Sequence, residues 1–218
     1  MKTANPVPLV SNTPDNFHCG EACLGMILKH FLPGRDFSME DTEGLTGKRP
    51  GMATWPQQTL LSMRQLGFDV AMAEAFDVQA FIDEGGEYLR RAFGDQLADW
   101  QIANSDIPYE QGLYQQLQTS DVTLENRVPE FGDMKAYLDA GHLITCTVNS
   151  RKLNKKPGYA GHAVLVYDLD DQHVTFHDPG LPPLAGRRLT LNDFEAAWAY
   201  PNEQAKGFIA MKYKGVER

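Results

Sequence analysis

Cysteine is scarce in this chain, with three among 218 residues. So small and odd a count excludes a disulfide-stapled secreted scaffold and leaves each cysteine to be explained by chemistry or by burial. Long apolar runs are missing too. Nothing approaches the roughly 20 residues that a membrane span needs, and Met1-Lys2-Thr3-Ala4-Asn5-Pro6 lacks the apolar stretch of a secretory signal. The expectation is a cytoplasmic protein with no membrane partner. Basic residues are short as well: 20 Lys and Arg against 29 Asp and Glu give a net charge of −9. That removes the positive face on which nucleic-acid binding depends. Repeats and low-complexity tracts are absent.

What is present is an alternation of helical and strand patterns in one length of chain sufficient for a single well-buried core. Residues 1–18 are rich in Pro, Asn and Ser and read as an extended approach segment. From Cys19 to Phe31 the apolar positions Cys23, Leu24, Ile27, Leu28 and Phe31 recur at helical spacing, and Pro33-Gly34 ends the run. Ser38 with Asp41 has the form of a capping box for a short helix ending near Gly47, and Thr54-Trp55-Pro56 opens another that runs to Leu66. Phe68 to Ala73 alternates like a strand. Asp77 to Gln118 reads as several short helices interrupted at Gly85-Gly86, Gly94 and Pro108. Phe131 to Ala140 predicts a helix, and Leu143 to Val148 a buried strand. Gly161–Asp168 and His173–Asp178 form a hairpin around Asp170-Asp171, followed by a helix from Leu191 to Trp198 capped by Thr190 and a last strand from Phe208 to Tyr213.

The chemistry-bearing residues sit at both ends of this pattern. Cys19 stands at a helix N-terminus, where unpaired backbone N–H groups and the positive end of the helix dipole favour thiolate over thiol. A three-residue hairpin loop at Leu169 to Asp171 places His162 opposite Asp178, on a face shared with Val164, Val166, Val174 and Phe176. A two-residue loop turns Asp178 to the other face, and the sequence leaves the register open. With the pair formed, Asp178 fixes the tautomer of His162, the other ring nitrogen faces the sulfur, and acyl transfer with water as acceptor follows. The oxyanion would be met by the Cys19 backbone N–H and by an upstream amide, Asn12 or Asn16. Cys23, on the apolar stripe, and Cys146, in an apolar strand, read as packing residues, with Cys23 the alternative nucleophile. His18, Cys19 and Cys23 have no second pair at zinc spacing, so neither a metal nor a cofactor is expected. His177 alternates away from Asp178 and reads as a surface or supporting residue, and Trp55 and Trp198 as core anchors.

Three segments, in order, carry a resemblance to a known family: Cys19-Gly20-Glu21-Ala22-Cys23-Leu24, Gly161-His162-Ala163-Val164-Leu165-Val166 and His177-Asp178-Pro179-Gly180. The chain is similar to the C39-like peptidases, a branch of the papain-like cysteine-peptidase fold. The resemblance implies an α+β domain over residues 1–218, with an N-terminal nucleophile helix packed on a C-terminal antiparallel sheet and a helical insertion at about 68–130. It implies Cys19 as nucleophile, His162 as base and acid, Asp178 as orienting residue, and a peptide or protein as substrate. The family's glutamine about six residues before the cysteine is replaced here: Thr13 stands at that position and Asn12 one earlier. Either one extra residue lets Asn12 act as the oxyanion donor or the oxyanion hole is impaired. The alternatives are therefore a peptidase, another acyl-transfer enzyme (amidase, deamidase or transglutaminase-like), and a catalytically inactive peptide-binding module.

Overall fold

The computed structural model describes residues 6–215, so the first five residues of the approach segment lie outside it. An apolar helix, α1 (Cys19–Phe31), is followed by α2 (Met39–Thr46) and α3 (Gln57–Gln65). The capping box on α2 forms as expected, Ser38 and Asp41 bonding reciprocally, and Gly47 ends the helix at φ 67°, where a side chain would be strained. Thr54 does not cap α3; Pro56 occupies the N-cap without a side-chain bond. Strand β1 (Phe68–Glu74) leads into four short helices, α4 (Val78–Glu84), α5 (Gly86–Phe93), α6 (Asp95–Asn104) and α7 (Ile107–Gln118). Then come β2 (Thr123–Asn126), α8 (Phe131–Asp139), β3 (Leu143–Asn149), α9 (Ser150–Leu153), β4 (Gly161–Leu169), β5 (His173–Asp178), β6 (Leu184–Thr190), α10 (Leu191–Trp198) and β7 (Gly207–Tyr213).

The strands make one seven-stranded sheet in the order β2-β1-β7-β3-β4-β5-β6. It is mixed, not wholly antiparallel: β1 and β2 run parallel, the four helices between them supplying the crossover such a pair needs. It is also not confined to the C-terminal part, because β1 from the middle of the chain pairs with β7 along its full length. Strands β2 and β6 and helix α9 carry no alternation or periodicity that foretold them. Two apolar clusters lie on the two faces. One joins α1 to Phe68, Val70, Met72, Leu165 and Met211 and extends into the α4–α7 helices; the other packs Val164, Val166, Val174 and Phe176 against Phe194 and Trp198. Among the described residues no helix is long and apolar enough to cross a membrane.

The β4–β5 hairpin places the polar residues. Its loop has three residues, 170–172, and the pairs nearest it are Leu169↔Val174 and Asp168↔Thr175. Extended unchanged, that register would put His162 and Asp178 on opposite faces. A bulge between Val166 and Asp168 resets it, so that Val166 pairs with Phe176 and Leu165 with His177. Both residues then share the face of Val164 and Phe176. They are diagonal neighbours, two positions out of register, where the loop-length argument had set them directly opposite.

Candidate active site

Cys19 opens α1 behind His18, whose side chain makes no cap to the helix. The first-turn N–H groups therefore face the mouth of the site unclaimed by a capping side chain. Nothing stands within 4 Å of where a side chain on Gly20 would begin, which keeps the space beside the thiol open. The ladder between β4 and β5 ends at Leu165↔His177, so the Ala163 N–H is free of it and donates to Cys19 Sγ at 3.4 Å. Burial works against the thiolate, but hydrogen bonds from His162 and from the Ala163 N–H outweigh it and hold the Cys19 pKa below the ordinary thiol value.

His162 and Asp178 are both buried. His162 Nε2 donates to Asp178 Oδ1 at 2.7 Å, which leaves Nδ1 for the sulfur. Burial lowers the imidazole pKa, but the carboxylate and the sulfur together raise it to about 9. Asp178 is likewise penalised by burial, yet His162, the Gly180 N–H at 3.0 Å and the Arg187 guanidinium draw it down to about 2. A side chain at Gly180 would begin 2.9 Å from Asp178 Oδ1, so the Asp-Pro-Gly turn needs its glycine here. Arg187, which went unnoticed in the sequence, donates from Nη1 to Asp178 Oδ2 at 2.6 Å and from Nη2 to the Leu153 carbonyl, and lies over the Phe176 ring. Its strand β6 has no apolar alternation, so the only signal was an arginine seven residues after the Asp-Pro-Gly turn.

Asn12 is buried behind the approach loop and does not line the cleft. Its Oδ1 accepts from the Thr13 N–H (2.9 Å) and the His18 N–H (2.8 Å), its Nδ2 donates to Asn16 Oδ1 (2.9 Å), and its backbone N–H donates to the Pro179 carbonyl (2.8 Å). One residue, through its side chain at one end and its backbone N–H at the other, thus ties the residue before Cys19 to the turn after Asp178. His177 is buried, contrary to a surface assignment: Nε2 donates to the Val7 carbonyl and Nδ1 accepts the Gly186 N–H, which straps the approach segment onto the hairpin. Cys23 and Cys146 are buried, and burial pushes both thiols up. Trp198 is a core residue, hydrogen-bonded to the Gly207 carbonyl. Trp55 stacks on Phe81 and donates to Ser105, but it also lines the cleft.

The thiol and imidazole open onto a cleft of about 960 Å³ that runs from Cys19 and His162 across β3 and β7 to Glu74 on β1. Glu74 is half-buried there, and desolvation, weakly offset by a 3.4 Å hydrogen bond from Tyr114, raises its pKa to about 7.

A thiol on the first turn of a central helix, set against an imidazole and a carboxylate carried by adjacent strands, is the architecture of the papain-like cysteine peptidases. Residues 7–191 match the Peptidase_C39 like family, and the chain belongs to it. Two solved structures share the fold. One is the peptidase domain of Streptococcus ComA, a bi-functional ABC transporter involved in a quorum-sensing pathway (14% identity over 96% of this chain and 100% of that one, TM-score 0.52). The other is a putative C39-like peptidase from Bacillus anthracis (12% identity over 96% of each chain, TM-score 0.52). No curated protein matches the chain.

Proposed function

We propose that this protein is a cysteine peptidase in which Cys19 is the nucleophile, His162 the base and acid, and Asp178 the orienting carboxylate. The observation that carries the reading is the chain of bonded groups Asp178 Oδ1–His162–Cys19, with Nε2 committed to the carboxylate at 2.7 Å and the thiol pKa lowered by the imidazole. Cys19 Sγ attacks the scissile carbonyl carbon and a C–S bond forms. The tetrahedral oxyanion is met by the Cys19 backbone N–H at the uncapped first turn of α1. Collapse breaks the C–N bond as His162 Nδ1–H protonates the departing amine. Water then adds to the thioester, giving its proton to Nδ1, and release of the acid restores the thiolate–imidazolium pair.

The test is the pH dependence of iodoacetamide alkylation, mapped to residues by mass spectrometry. Cys19 should react well below the ordinary thiol pKa of roughly 8.5 and lose this advantage in His162→Ala. A Cys19 that titrates as a free thiol in the native protein would sink the reading. A peptide-binding module without turnover is the second reading, favoured by one observation: Asn12 stands behind the loop and outside the cleft lining. Normal alkylation without acyl-enzyme formation on peptide thioesters would select it.

A further inference from the structure

The register of the sheet places four residues in one row facing α1. Glu74 on β1 pairs with Gly207 on β7, and Thr147 on β3 pairs with Ala163 on β4. The β3–β7 register, paired through Cys146↔Phe208, continues to set Thr147 beside Gly207. Side chains along such a row share a face. The three steps between Ala163 and Glu74 are therefore floored by Ala, Thr and Gly, and all four residues line or border the cleft. Small residues here leave a trough in which a chain can lie flat on the sheet. Three strand spacings of about 4.8 Å make it about 14 Å long, the span of roughly four extended residues. At one end Cys19 accepts from the Ala163 N–H; at the other is the Glu74 carboxyl.

Glu74 differs from the other carboxylates lining the cleft. Asp15 and Glu43 are bonded to His18, and Glu21 to Thr46 and Lys48. The lysine and the arginine of the lining are committed as well, Lys48 to Glu21 and the Phe17 carbonyl, Arg49 to Asp106. Glu74 has neither a cation nor an imidazole beside it among the described residues, only the Tyr114 hydroxyl on Oε1. Its Oε2 lies 3.6 Å from where a Gly207 side chain would begin, on the trough side. Phe17 and Trp100, both largely exposed, stand at the cleft's rim and offer aromatic faces to a peptide lying along it.

We propose that Glu74 is the specificity-determining residue of this site, and that the substrate is an extended peptide with a cationic group, an ammonium or guanidinium, about four residues from the scissile carbonyl. This rests on the thiol-peptidase reading for the position of the scissile bond, and on Glu74 alone for the charge. An incoming cation supplies the partner that the carboxyl lacks, and the Ala-Thr-Gly floor sets the distance at which it is read.

The test uses two probes, each an acetamide on a linear arm of about 14 Å. One ends in a primary ammonium, the other in its N-acetylated neutral counterpart. Binding is measured by calorimetry on Cys19→Ala, so the thiol plays no part. The ammonium probe should bind at least tenfold tighter than the neutral one, lose that margin in Cys19→Ala/Glu74→Gln, and lose most of it in Cys19→Ala/Gly207→Ala, whose added Cβ would sit 3.1 Å from Glu74 Cβ. The iodoacetamide form of the ammonium probe should show the same margin in its rate of alkylating Cys19 in the native protein. An equal preference with Glu74→Gln, in a variant that unfolds at the native temperature, overturns the proposal, as does no preference at all. If plain iodoacetamide leaves Cys19 unmodified, the peptidase reading falls, while the binding comparison still decides the role of Glu74.

Discussion

The two ends of the cleft treat a desolvated carboxyl in opposite ways. At the β4–β6 end, Asp178 is given an imidazole, a backbone N–H and a guanidinium, and its pKa drops to about 2 although burial opposes the charge. At the β1 end, Glu74 has one long hydrogen bond, and Glu110 on α7, outside the cleft lining, leaves Oε2 without a partner among the described residues; desolvation lifts both carboxyls to about 7. Desolvation acts on all three, Glu74 being half-buried and the others buried, so what separates them is whether the fold supplied partners. The first end is organised before anything binds. The second retains an unmet demand, and an unpartnered buried polar group costs on the order of 1–3 kcal/mol.

Breaking the organised end should give the largest effects. Cys19→Ala is expected to abolish turnover of any peptide substrate while leaving the melting temperature near that of the native protein, since the side chain is small and half-exposed; an unfolded variant would show that the thiol is structural. In the native protein, activity should also fall as pH rises through about 9, where the imidazolium loses its proton. His162→Ala should slow Cys19 alkylation at pH 7 by roughly 10²-fold, because the bond that holds the thiolate is lost. Arg187→Met keeps a stem over Phe176 but leaves Asp178 Oδ2 buried and unpaired. A loss of about 3 kcal/mol in urea unfolding is expected, by analogy with broken buried ion pairs.

The under-supplied end should respond with the other sign. Glu74 has a folded pKa of about 7 against an ordinary 4.5, so between those values the folded state keeps a proton that the unfolded state has released. Stability should therefore decline as pH rises from about 4.5 to about 7, by up to about 3 kcal/mol. Glu110, raised to about 7 as well, adds a decline over the same window, so Glu74→Gln should remove only the share of Glu74, and unfolding curves of the variant and the native protein at pH 4.5 and 8 would show it. Cys23→Ala should cost only about 1 kcal/mol of stability, with alkylation of Cys19 unchanged. Equal loss of Cys19 reactivity in this variant would blur the distinction between the two thiols.

Much of the organised end was legible before the structure. The apolar stripe of α1, the Ser38–Asp41 capping box and the alternating β4–β5 hairpin are local patterns, and local patterns survive folding. The pairing of His162 with Asp178 was readable only as an open register, because a bulge at Tyr167 has no sequence signature of its own. Arg187 and the tie made by Asn12 depend on contacts between segments far apart in the chain, and no periodicity encodes those. Glu74 was hidden for a plainer reason. It is the last residue of a short strand, and its isolation becomes visible only once β7 and β3 are laid beside it.

The bulge in β4 also acts as a check on assembly. A slip of one residue between β4 and β5 would disconnect Asp178 from His162, but the same slip would turn Val174 and Phe176 out of the apolar layer beneath. Each of those side chains is worth roughly 1.5–3 kcal/mol when buried. A hairpin that has found its core has therefore also found the pairing its imidazole requires, and a mispaired one is rejected by water before any chemistry is asked of it.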